Sequence, residues 1–131
     1  MTFAKHLSRA ILLPLAAMPL AAADWPQYRG PRQDGISAEK LTAKAWPASG
    51  LPQIWKSPTP TGFSSFTVGG GNVFTIVARE IEGVKREACV ALDAASGAER
   101  WAALLSPAKY DGGGDSGGGG DGPRSTPTFN D

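Results

Sequence analysis

The 131-residue chain is poor in three things: cysteine, histidine and net charge. A single Cys cannot build a disulfide-stapled miniprotein. With 13 Lys+Arg against 12 Asp+Glu, the formal charge of +1 lacks the basic surplus typical of nucleic-acid binders, so no nucleic-acid partner is expected. Long apolar runs are missing too. The longest, Ala10 to Leu20, is broken by Pro14 and Pro19 and falls short of the roughly 20 residues that span a bilayer, so no transmembrane segment is expected. What the chain does have is four Trp and 41% hydrophobic residues, which suit a globular protein, and 28 Gly and Pro, which make it rich in turns.

The N-terminus has a different character from the rest. Lys5, His6 and Arg9 precede the apolar run, and Ala21-Ala22-Ala23 follows it, the order of a secretory signal peptide over residues 1–23. Cleavage after Ala23 predicts a periplasmic or secreted protein. The mature chain of 108 residues then has 11 Lys+Arg and 12 Asp+Glu, and it contains no histidine. That absence excludes a His general base, a Ser-His-Asp triad and a His zinc site. Cys89, between Ala88 and Val90, reads as a buried small hydrophobe.

Beyond the signal, residues 24–52 form an irregular entry segment whose large apolar anchors are Trp25, Tyr28 and Trp46. Ser37 is a plausible N-cap for one short helical turn within Ile36 to Ala45. Short strands are predicted next: Ile54 to Ser57, ended by Pro58 and Pro60; Phe63 to Val68, running into Gly69-Gly70-Gly71-Asn72; and the β-branched run Val73 to Val77. Arg79 to Arg86 reads as a solvated, charged hairpin loop. Ala88 to Leu92 and a strand through Glu99, Arg100 and Trp101 complete an all-β, four-stranded antiparallel meander.

The chain is also self-similar. Trp55 and Trp101 each sit a few residues after a Gly, Gly50 and Gly97, and precede a Ser-Pro pair, and Ser64-Ser65-Phe66-Thr67-Val68 parallels Ser125-Thr126-Pro127-Thr128-Phe129. The two Trp are 46 residues apart, near the roughly 40–45 residues of a four-stranded propeller blade. Between Ala91 and Trp101 the residues run Ala91-Leu92-Asp93-Ala94-Ala95-Ser96-Gly97-Ala98-Glu99-Arg100-Trp101. Here small Ala91 fits a crowded strand, Asp93 can accept amide hydrogen bonds across the turn, Gly97 permits positive φ and Trp101 offers a flat packing area.

This run resembles the tryptophan motif of PQQ-like β-propeller repeats, A-x-D-x-x-[TS]-G-x-x-x-W, through Ala91, Asp93, Ser96, Gly97 and Trp101. The opening Asp24 to Pro31 and the stretch Asp121 to Thr128 resemble segments of exported bacterial propellers of this type. The resemblance implies propeller blades over 53–131: one complete blade at about 63–105, a glycine-rich insertion at 111–122 and the start of another blade at 123–131. Since such propellers usually have about eight blades, it also implies an N-terminal fragment whose partners are the remaining blades. In the family, the strand Ile54 to Ser57 would complete the last blade and close the ring.

The family divides into quinoprotein dehydrogenases, with PQQ and calcium at the axis, and non-catalytic envelope scaffolds. The tryptophan motif is a packing device in both, so no catalytic, cofactor or metal residue is assigned. The adjacent cysteine pair common in the dehydrogenases does not occur here. Glu80, Glu82 and Glu87 belong in or beside the charged loop, where solvation is the default. The insertion around Asp111, Asp115 and Asp121 has neither the EF-hand spacing nor a nonapeptide calcium repeat. Nor does Gly69-Gly70-Gly71-Asn72 carry the Lys-Ser/Thr of a phosphate loop. The expectation is therefore a non-catalytic exported module that binds a cell-envelope protein or glycan. The alternative is the N-terminal part of a PQQ- and calcium-dependent dehydrogenase acting on alcohols or sugars.

Overall fold

A computed structural model describes residues 23–40, 45–60, 62–108 and 122–130. The signal segment up to residue 22 and residues 111–121 of the glycine-rich insertion lie outside the described residues. The fold is all-β. Its four strands are β1 (Thr67–Gly69), β2 (Asn72–Ile81), β3 (Val84–Asp93) and β4 (Glu99–Pro107), which form one open antiparallel sheet in chain order.

Two two-residue turns set the register. Gly70 and Gly71 both have positive φ (54° and 74°) and join β1 to β2, with Gly69 opposite Asn72. Glu82 and Gly83 repeat that geometry (52° and 74°) between Ile81 and Val84. Positive φ at both central positions is the type I′ arrangement, whose twist matches the strands it joins. The charged segment Arg79 to Arg86 is therefore not a loop. The ladder continues through Arg79↔Arg86 and Glu80↔Lys85, and only Glu82-Gly83 turns. A strand end can be solvated and remain paired, so charge did not mark the end of the ladder.

The register sorts the side chains between two faces. On one, Val77, Ala88, Val90 and Leu92 form the buried cluster, with Val73 and Trp55 packed against it. Burying each Val or Leu side chain there is worth about 1.5–3 kcal/mol. On the other, Phe74, Ala91 and Trp101 occupy one row across β2, β3 and β4. Phe74 stacks on Phe129 (centroids 5.6 Å apart) and meets Trp101 at a tilt (5.9 Å). Both faces of the β2–β3 core thus receive an aromatic ring from outside the sheet.

Three other expectations need correction. Ile54 to Ser57 is not a strand: Pro58 and Pro60 donate no amides, and the segment instead crosses the sheet with Trp55 as its anchor. The run Phe63 to Val68 joins the ladder only from Thr67 onward, because Phe63 and Ser65 turn their amides to residues 123–126. Residues 36–40 form no helix; the Glu39 amide donates to Ser37 Oγ (3.1 Å), a local turn that competes with helix formation. No helix among the described residues is long and apolar enough to cross a membrane.

Candidate functional site

The five motif residues come together where β3 passes into β4. Asp93 Oδ1 accepts from the amides of Ala95 (3.0 Å) and Ser96 (2.8 Å) and from Ser96 Oγ (2.9 Å). Its other oxygen pairs with Arg100. That ion pair comes first, and the Ser96 and Ala95 hydrogen bonds follow, in holding the Asp93 carboxyl down to about 2. Arg100 can reach it because β4 bulges there, with Ala91 opposite Trp101 but Leu92 opposite Glu99.

Gly97 closes the turn. Its amide donates to the Asp93 carbonyl (2.8 Å), its φ is +71°, and an added Cβ would lie 2.4 Å from the Trp55 ring. Trp55 Nε1 donates to the Ala94 carbonyl (2.9 Å), so the indole is held flat over the turn. Ala91 is fully buried, whereas Trp101, at the open edge, is 47% exposed. Leu104 and Leu105 are exposed on the same strand. The Asp93 carboxylate, the Ser96 hydroxyl and the Gly97 amide are each engaged in hydrogen bonds within the turn.

The other candidate residues fall as follows. Glu80 and Glu87 are on the paired ends of β2 and β3, and Glu82 is at the turn. Cys89 is a free thiol on the face opposite the Val77 cluster, half-buried rather than buried; burial pushes its pKa up. Among the described residues, no group of three or more His, Cys, Asp or Glu side chains could hold a metal ion.

Two features were not legible from local sequence. The first is a seam between the self-similar segments: Ser64 Oγ donates to the Ser125 carbonyl (2.7 Å), and the Ser65 amide donates to Thr126 Oγ1 (3.3 Å). Phe63 adds an amide bond to the Pro123 carbonyl (2.7 Å). The second is a polar recess of about 440 Å³ lined by Gln27, Tyr28, Arg29, Gln33, Thr126 and Thr128. Its walls are distant in sequence, and the tie from the Phe129 amide to the Pro26 carbonyl (2.8 Å) helps bring them together. Neither a family model, nor a curated protein, nor a solved structure matches this chain.

Proposed function

We propose that this chain carries one blade, and the start of the next, of an exported PQQ-like β-propeller that serves as a non-catalytic binding or scaffold module of the cell envelope. The seam carries the reading. Around a rotation axis, equivalent residues of successive units converge on one another. Here Ser64 bonds to Ser125 and Ser65 to Thr126, both at an offset of 61 residues, the same offset that aligns the two segments in sequence. Two turn-rich segments that were alike by chance would have no reason to meet in that register. Exposed Phe66, Trp101, Leu104 and Leu105 give the sheet the apolar surface that flanking blades would cover.

The engagement of Asp93, Ser96 and Gly97 in the turn supports a packing role for the motif.

The test has two arms. Residues 24–131 and the full-length gene product are compared by circular dichroism and sedimentation. Self-association of the short form beside a compact long form is the expected result; a monodisperse short form with a sharp melt would replace the propeller with a self-contained β-domain. The long form is then supplied with PQQ, calcium, an alcohol or sugar and an electron-accepting dye. Dye reduction would overturn the non-catalytic reading in favour of the dehydrogenase.

A further inference from the structure

We infer that the recess beside the seam is a binding site for an acidic glycan, a chain of uronic-acid residues. The inference rests on the proposed role as an envelope-binding module. It supplies the ligand class and location that the role leaves open.

The lining specifies the class. Among the described residues of the lining Arg29 supplies the only formal charge, and no hydrogen bond or ion pair from its side chain to another described residue is present. The neighbouring arginine, Arg32, is by contrast neutralised by Asp34 at 2.9 Å. Around Arg29 stand two amide side chains, two hydroxyls and a phenol, with no carboxylate among the described lining residues. A guanidinium matches a carboxylate through two parallel N–H···O bonds. Neutral amides and hydroxyls, which both donate and accept, match the hydroxyls of a sugar. Tyr28, 63% exposed, offers a ring face to the apolar side of a pyranose. A neutral sugar would leave the guanidinium without a partner, and a bare inorganic anion would leave the five neutral groups idle.

The walls are also built in advance. Arg29 and Gln33 hold left-handed backbone conformations (φ 63° and 58°) that side-chain-bearing residues rarely adopt. Three backbone bonds enforce them: Gly30 to Gln27 (2.9 Å), Gln33 to Gly30 (3.0 Å) and Gly35 to Arg29 (2.9 Å). Gln33 Nε2 donates to Gln27 Oε1 at 3.3 Å, which leaves the Gln27 amide nitrogen and the Gln33 oxygen as further donor and acceptor. Gln27 Nε2 reaches the Pro31 carbonyl only at 3.4 Å, a bond weak enough to exchange for a ligand hydroxyl. The volume lies within the roughly 300–1,000 Å³ of small-molecule sites.

The experiment is calorimetry of the full-length gene product with a galacturonic-acid tetramer, the same tetramer with its carboxyls reduced to hydroxymethyl groups, and inorganic phosphate. Saturable binding of the acidic tetramer is expected, weakened about tenfold or more by carboxyl reduction and by Arg29→Gln. Thr128→Val, which keeps the charge and lies on the other wall, should weaken it severalfold, and Lys56→Gln, outside the recess, should leave it unchanged. Absence of binding at millimolar tetramer, equal affinity for the two tetramers, or phosphate binding as tight as the tetramer would each overturn the assignment. These failures leave the blade reading standing if the long form is compact and inert towards the dye. Arg29-dependent binding by a dye-reducing protein would instead keep the recess and remove the scaffold role.

Discussion

Gly97 passes directly beneath the indole of Trp55, so closely that a methyl group in its place would sit 2.4 Å from the ring. The left-handed φ of +71° adds a second objection to any side chain. Gly97→Ala should therefore lift Trp55 from the Val77 cluster and break its bond to Ala94. The expected loss is about 2–4 kcal/mol in denaturant unfolding, with tryptophan fluorescence shifted to the red. An unchanged midpoint and spectrum would mean that Trp55 is not seated on the turn.

Asp93 gives a prediction in pH. Its carboxyl is held down to about 2, against an ordinary 3.8, first by Arg100 and then by Ser96 and Ala95. A carboxyl depressed on folding adds stability above its unfolded value, and that addition disappears as pH falls through the folded one. Melting temperature should fall between about pH 4 and pH 2, and Asp93→Asn should flatten part of that slope while keeping the turn's amide bonds. Asp34 and Glu99 are also lowered, by their own hydrogen bonds, so the variant should retain a residual slope. Superimposable pH curves would show that the ion pair has no role in stability.

Thr67 is fully buried, and its hydroxyl lacks a hydrogen-bond partner. An unpaired buried hydroxyl costs about 1–3 kcal/mol, and valine has nearly the same shape. Thr67→Val should raise stability by about 1 kcal/mol in urea unfolding. A loss of similar size would reveal an acceptor or a bound water at that oxygen.

Cys89 should react slowly. Burial raises its thiol above the ordinary 9.0, so little thiolate is present near neutrality. Reaction with Ellman's reagent at pH 8 should be several times slower in the folded protein than in guanidinium, and should keep accelerating beyond pH 9. Equal rates in the two states would place the thiol in open water.

The interior of the sheet was plain in the sequence because β-branched Val73 to Val77 and the Gly70-Gly71 turn report local conformation directly. The ladder's extent was not, since Arg79 to Arg86 is polar for reasons of solvation and yet stays paired by virtue of its turn. The Arg79↔Arg86 pair sets like charges opposite each other, and Glu99, from a different strand, compensates Arg79. Trp55 illustrates the opposite error: a strand-like neighbourhood whose proline residues leave it only a side chain to contribute. At the turn, Asp93, Ser96 and Gly97 were readable because their geometry is local. The recess depends on Arg29 meeting Thr126 across nearly a hundred residues, and no short window carries that information.

The Phe129 ring has a consequence for the order of assembly during synthesis. The β2–β3 hairpin is closed by neighbours in sequence and can form as soon as it emerges, with little loop entropy to overcome. β1 is likewise joined to β2 by a two-residue turn and bridged at Val68 by Trp25, but its covering ring comes later. Gly69 is roofed by Phe129, whose ring would stand 2.1 Å from any added Cβ, and that residue is made some sixty codons later. Until then one face of Phe74 stays open to water, so a growing chain carries an uncovered aromatic face until the segment that covers it has been translated.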